Sequence, residues 1–266
     1  ILVEEVETAR WASEGLPQDE MNIQNGILTT RSSRWPLCVD PQMQAVTWLK
    51  NKESKSDLKV LRMTDGEFLK HVELAVQYGT PVLFENIDEY LEPVLDPLLE
   101  KNIIVRGSRK SIKLGDKEVD FDDNFRLYFT TKLSNPHYSP EISGKTSIIN
   151  YSVTQDGLQS QLLDVVVAYE KPQLEQSRKD LIQQMSENKT LLKNLEDDLL
   201  RELDSATTNL LDNVELIAKL EDTKAKAVEI ADKLELAQKT AGDIDIARKG
   251  YMPAAKRGAV LFFVLG

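Results

Sequence analysis

The sequence predicts an α/β protein, a parallel sheet with helices on both faces, continued by a long antiparallel coiled-coil hairpin. Three observations predict it. Short apolar runs alternate with helical patterns over roughly the first 150 residues, the signature of strands buried on both faces and joined by helical crossovers. From Gln173 to Met252 there is no proline, and from Glu170 to Gly250 no aromatic residue, so a stretch rich in Leu, Lys, Glu, Asp and Ala runs without helix breakers. Within that stretch two apolar stripes of 4–3 spacing flank a polar segment.

Taken in order, Trp35 to Val39 reads as a strand and Gln44 to Lys52 as a helix. Leu58 to Met63 is the next strand, followed by an amphipathic helix from Asp65 to Tyr78. Thr80 to Phe84, Phe125 to Thr131 and Ser147 to Val153 complete the strands of the sheet. Ile103–Arg106 and Ser111–Leu114, broken by Gly107 and Gly115, read as a β-hairpin insertion. The first helical stripe runs Leu174, Leu181, Met185, Asn188, Leu192, Leu195, Leu199; the second runs Leu216, Leu220, Thr223, Ala227, Ile230, Leu234, Ala237, Ala241, Ile244. The reversal is placed at Asp204–Asn209, extending to Asp212-Asn213. Each arm of roughly 35 residues would be on the order of 50 Å long. Two helices folded onto a globular core are the alternative; polarity outside the stripe favours a projecting hairpin. Asn188 fixes register or is a solvated defect in the stripe.

The most informative segment is Asp40-Pro-Gln-Met-Gln-Ala-Val-Thr47, between the first strand and the first crossover helix. A P-loop at this place would read G-x-x-x-x-G-K-[ST], with backbone N–H groups cradling phosphates and a Lys on the β/γ oxygens. Here Asp40 stands at the first Gly position, Ala45 at the last and Val46 at the Lys position; only Thr47 remains. Pro41, Gln42, Met43 and Gln44 fill the intervening places. A carboxylate at the mouth of an anion site repels phosphate, and Val has no donor. The second acidic motif of such an enzyme is four apolar residues followed by Asp-Glu, the Asp holding Mg²⁺ and the Glu polarising water. This chain has Glu85 and Asn86 after Pro81-Val-Leu-Phe84, and Asn cannot act as a base. A structural role, capping a strand end, is the other reading of that pair. Thr131 and Lys132 close the next strand at the sensor position, where Thr130 and Thr131 are expected to satisfy local backbone groups and Lys132 to pair with Glu85 or Asp40. No catalytic residue and no metal site are expected.

Composition excludes several classes. The formal net charge of -11 argues against a nucleic-acid partner. One cysteine, Cys38, and two histidines, His71 and His137, leave no disulfide framework and no Cys/His zinc set. The apolar run Ala259–Leu265 is too short to span a membrane, and no signal peptide is evident. Starting at Ile1 and stopping within that run, the sequence reads as a segment of a longer polypeptide.

The chain resembles the dynein heavy chain, specifically its fifth AAA+ module (a P-loop NTPase fold) with the helical extension that follows. The resemblance rests on Gly15-Leu-Pro, Asn25-Gly-Ile, Arg34-Trp-Pro-Leu with Asp40-Pro-Gln, Gly79-Thr-Pro-Val-Leu-Phe-Glu-Asn86, and Val153-Thr-Gln-Asp-Gly-Leu158 with Gln161-Leu-Leu163. Its most specific part is Arg126-Leu-Tyr-Phe-Thr-Thr-Lys-Leu-Ser-Asn-Pro-His-Tyr-Ser-Pro-Glu141, and it covers essentially the whole chain. It implies an AAA+ large subdomain with a degenerate P-loop over residues 1–150 and the start of a small helical subdomain at 151–168. It further implies an antiparallel strut, or buttress, over 169–249 and a resumed small subdomain, cut short, at 250–266. The implied role is non-catalytic: a module that couples an ATP-driven ring to the microtubule-binding stalk, ATP and Mg²⁺ being held by other modules. Implied partners are neighbouring AAA+ modules and the stalk of the same heavy chain, the microtubule indirectly, and dynein intermediate and light chains through the parent. The implied location is the cytoplasm and cytoskeleton, with an axonemal, ciliary parent favoured over a cytoplasmic one on general sequence character. Two other readings stand beside this one: a module that still binds ATP or ADP in a regulatory way, and a free-standing coiled-coil interaction protein.

Overall fold

The computed structural model describes residues 5–107, 109–205 and 214–265. Contacts divide the chain into two units, Glu14–Val153 and a helical unit made of Val3–Ser13 together with Thr154–Gly266.

The first unit is built on five parallel strands, β1 (Trp35–Val39), β2 (Lys59–Leu61), β3 (Val82–Phe84), β7 (Leu127–Thr131) and β8 (Thr146–Asn150), ordered β2-β3-β7-β1-β8. β7 is inserted between β3 and β1, pairing Leu37 with Phe129 and Phe84 with Phe129. All five residues of β1 and of β7 are buried, which is why both read as continuous apolar runs rather than alternating ones. On one face Phe84 stacks on Phe129 at 5.5 Å, and Trp35 meets Phe125 edge-on at 5.8 Å. The Trp35 indole N–H donates to the Leu98 carbonyl at 2.8 Å, which settles its one polar group inside the core. Trp48 is buried as well.

Some helices enter on a side-chain cap. Asp19 accepts from the Asn22 N–H at 2.7 Å to start α2 (Glu20–Arg31), and α3 (Gln44–Lys52) follows β1. α4 (Phe68–Tyr78) ends on Gly79 in the left-handed region at φ 68°, where a Cβ would lie 2.6 Å from Asp122 Oδ1. A short α5 (Asp96–Leu99) and α6 (Pro140–Lys145), capped by Ser139, were not read from the sequence. The expected hairpin insertion is a three-stranded antiparallel sheet, β4 (Ile103–Arg106), β5 (Arg109–Leu114) and β6 (Lys117–Asp120). β6 escaped notice because Lys-Glu-Val-Asp is a mostly exposed edge with a single apolar residue. Strands expected at Leu58–Met63, Thr80–Phe84, Phe125–Thr131 and Ser147–Val153 are two to three residues shorter, or displaced, at their ends.

The helical unit contains α1 (Glu5–Ser13), α7 (Gln155–Glu170), α8 (Pro172–Ser205), α9 (Val214–Arg248) and α10 (Met252–Leu265). α1 packs against α8, so this segment groups with the helices and not with the sheet to which residues 1–150 were assigned. α10 packs on α7, and α8 and α9 pack on each other. On α9 the residues shielded from solvent are Thr223, Ala227, Ile230, Leu234, Ala237, Ala241, Ile244 and Arg248, which matches the described part of the 4–3 stripe. α8 shields a wider face, because α1 and α7 also cover it. The expected turn at Asp204–Asn213 lies largely outside the described residues. No helix among the described residues is long and apolar enough to cross a membrane.

Candidate functional site

The carboxyl edge of the sheet gathers the ends of β1, β7 and β3, and with them Asp40, Thr131 and Glu85. The Asp40 N–H donates to the Thr131 carbonyl at 2.9 Å, and the Glu85 N–H to the Leu61 carbonyl at 2.9 Å. The chain then turns at Pro41-Gln42 and passes through Met43, a non-glycine residue in the left-handed region at φ 61°. That turn rolls the first N–H groups of α3 back towards the end of β1.

The Asp40 side chain fills the concavity so formed. It is 1% exposed; Oδ1 accepts from the Gln44 N–H at 2.8 Å and Oδ2 from the Val46 N–H at 2.9 Å. Free N–H groups at a helix start, together with the helix dipole, make a ready anion seat. Here the anion comes from the chain itself. Burial pushes the Asp40 carboxyl above its usual range, and the surrounding backbone N–H groups pull the other way without reversing it.

Several of the other expected site residues are also committed to local partners, whereas the buried Gln44 side-chain amide has none. Thr47 is exposed, and its hydroxyl donates to the Met43 carbonyl at 2.8 Å. Ala45 and Val46 are buried, and the Gln42 side chain accepts from the Val153 N–H at 3.3 Å. Thr130 donates to the Phe84 carbonyl at 3.2 Å, and Thr131 Oγ1 accepts from the Leu133 N–H at 3.2 Å. Glu85 pairs with Lys50 of α3 at 2.6 Å, and Asn86 sits at φ 55°. The expected pairing of Lys132 with Glu85 or Asp40 is therefore corrected: Lys50 takes Glu85, backbone takes Asp40, and Lys132 is exposed. Lys50 was missed because a lysine on a crossover helix carries no signal of which strand end it will face.

A family described as the ATP-binding dynein motor region matches residues 9–230. The chain belongs to this family. It is 60% identical over 265 residues to human dynein axonemal heavy chain 10, covering 100% of this chain and 6% of that one. It is 62% identical over 266 residues to the Chlamydomonas reinhardtii dynein-1-alpha heavy chain of the flagellar inner arm I1 complex, with the same coverage. Mouse dynein axonemal heavy chain 2 is 47% identical over 255 residues. The chain thus spans about 6% of the length of the curated relatives it matches. Within this dynein motor region, the sequence pattern placed Asp40 between the first strand and the first crossover helix, where the structure has it. It gave no hint that Asp40 would turn inward as a ligand for its own backbone, since a turn with a left-handed methionine is not legible from residue types.

Proposed function

We propose that this chain is the fifth AAA+ module of an axonemal dynein heavy chain, a non-hydrolysing part of the motor ring. The observation that carries the proposal is the Asp40 carboxylate seated on the Gln44 and Val46 N–H groups. A triphosphate does not fit the residues at this edge. Its seat is filled by a buried carboxylate, Val46 offers no ammonium, and Asn86 offers no base.

On this reading the module acts mechanically. α8 and α9 are the arms of an antiparallel coiled-coil strut that transmits ring motion to the stalk and so sets microtubule affinity. Support comes from the shielded stripe on α9 and from ion pairs joining the start of α8 to the end of α9. Arg178 meets Asp245 at 3.6 Å, and the buried Arg248 meets the buried Glu175 at 3.3 Å. The parent chain is a microtubule-motor ATPase of the cilium, fuelled by ATP and Mg²⁺ at other modules. Neighbouring modules, the stalk and the parent's intermediate and light chains are its partners. The words "ATP-binding" in the family description favour a second reading, regulatory nucleotide binding at this edge.

Amide hydrogen exchange of residues 40–47 with and without ATP–Mg²⁺ decides between the two. Unchanged exchange is expected; slowed exchange confined to that loop would refute the reading of a seat already filled by Asp40. For the strut, Leu195→Pro in the full heavy chain breaks α8 at a cost of ~3 kcal/mol or more. It should uncouple microtubule binding from ATP turnover, and normal microtubule-stimulated turnover would remove the lever from the scheme.

A further inference from the structure

A second cleft lies at the opposite edge of the sheet from Asp40, where β1, β3 and β7 begin. It encloses about 580 Å³ and is lined in part by Arg34, Trp35, Lys52, Lys101 and Arg126. Lys52 is neutralised by Glu53 at 2.5 Å, and Glu53 also receives the Tyr128 hydroxyl at 2.8 Å. The other three cations have no such partner. Lys101 Nζ donates to the Ser33 carbonyl at 2.6 Å and rests 4.2 Å from the centre of the Trp35 ring. Arg126 donates to the Asp123 and Phe125 carbonyls. Among the described residues, no carboxylate forms an ion pair with Arg34, Lys101 or Arg126.

Three un-neutralised cations facing one cleft are out of keeping with a chain of formal net charge -11. Like charges gathered without counter-charge repel one another. Desolvation, and then the neighbouring Arg126, hold the Lys101 ammonium below its usual range. Lys101 also sits at φ 54°, a backbone state that costs a lysine free energy and that asparagine would adopt more readily. The repulsion would be relieved by a bound polyanion; the left-handed Lys101 backbone belongs to the end of α5, where its N–H donates to the Leu98 carbonyl at 3.2 Å and the Asn102 N–H to the Pro97 carbonyl at 2.9 Å. The guanidinium of Arg126 offers a planar fork suited to paired oxyanion oxygens. The hydroxyls of Thr30 and Ser32 and the Asn124 amide line the same space. A monovalent carboxylate would leave two charges unanswered, so the charge count favours a di- or polyphosphate.

We propose that the cleft lined by Arg34, Lys101 and Arg126 is a binding site for a phosphate-bearing ligand of two or more negative charges, separate from the degenerate P-loop. Calorimetric titration of the chain with pyrophosphate tests it. Saturable binding is expected, weakened at least tenfold in Lys101→Asn and in Arg126→Gln, retained in Lys101→Arg, and unchanged in Lys132→Gln, which lies at the other edge. Lys101→Asn should not lower Tm, since asparagine tolerates the local backbone; if it does, Arg126→Gln and Lys101→Arg carry the test. Absence of saturable pyrophosphate binding would overturn the proposal. So would equal affinity in wild type and Arg126→Gln, or tighter binding of a hexaglutamate peptide than of pyrophosphate.

Discussion

Replacing Asp40 by alanine isolates what the internal carboxylate does. The substitution strands two N–H groups, those of Gln44 and Val46, in a place where the residue is 1% exposed. Leaving a buried donor unpaired costs about 1–3 kcal/mol, so two cost about 2–6. Relief of the buried charge offsets part of this, as its raised pKa requires, and we expect a loss near the lower end, about 2 kcal/mol. At about 2–4 °C per kcal/mol for a domain of this size, Tm should fall by about 4–8 °C. The pH dependence has a definite sign. A carboxyl whose folded pKa lies above the ordinary 3.8 contributes stability that is complete below 3.8 and is lost as pH rises through the folded value. The difference between wild type and Asp40→Ala should therefore be larger near pH 4 than near pH 7.5. The vacated seat should also accept an outside anion, so phosphate should raise the Tm of the variant more than that of wild type. Both proteins are best compared in an Arg126→Gln background, so that phosphate at the opposite edge does not contribute. Chemical denaturation and thermal melts followed by circular dichroism read all three effects. An unchanged Tm in Asp40→Ala, or equal phosphate stabilisation of the two proteins, would refute the reading of Asp40 as a resident anion.

Three other perturbations follow from particular contacts. Gly79→Ala should destabilise the sheet unit by about 2 kcal/mol in urea titration, since alanine at φ 68° is strained and its Cβ meets Asp122 Oδ1 at 2.6 Å. Lys132→Ala should leave urea stability within about 0.5 kcal/mol of wild type, because Lys50 rather than Lys132 holds Glu85; Lys50 is partly exposed, so Lys50→Ala should cost no more than about 1 kcal/mol. Arg248→Ala should destabilise the helical unit by about 3 kcal/mol at most, measured as loss of helical signal on heating, because buried Glu175 loses one of its two cations and keeps Arg178 at 3.3 Å; Arg178→Ala, at a more exposed position, should cost less.

The parts of the molecule that were legible in the sequence are those governed by period and composition. β1 was bounded correctly because Trp-Pro-Leu-Cys-Val is apolar throughout, and α3 because its apolar face and flanking turn agree. From Thr223 to Ile244 the stripe on α9 was legible because a long helix with one partner face displays its spacing without interference. On α8 the same spacing understated the buried face, since α1 is distant in sequence and its packing leaves no local mark. β6 and α6 were missed because each is short and polar, held by ladder bonds or a Ser139 cap rather than by an apolar period. At the candidate site, residue types singled out Asp40, Glu85 and Thr131, which the structure gathers at one sheet edge. They did not show where the polar groups went, because that depends on a left-handed Met43 and on which crossover lysine reaches Glu85.

The two edges of the sheet stand in an instructive contrast. At the carboxyl edge, Asp40 faces backbone N–H groups and Glu85 faces Lys50, so the polar groups that a nucleotide would engage already answer one another. At the opposite edge, Arg34, Lys101 and Arg126 line one cleft, and among the described residues no carboxylate pairs with them. Binding to the first edge must displace a resident group, and the displaced carboxylate would have to be rehydrated or find another partner. Binding to the second displaces no protein counter-charge and relieves repulsion. For equal intrinsic contacts the second edge must therefore bind an anion more tightly than the first.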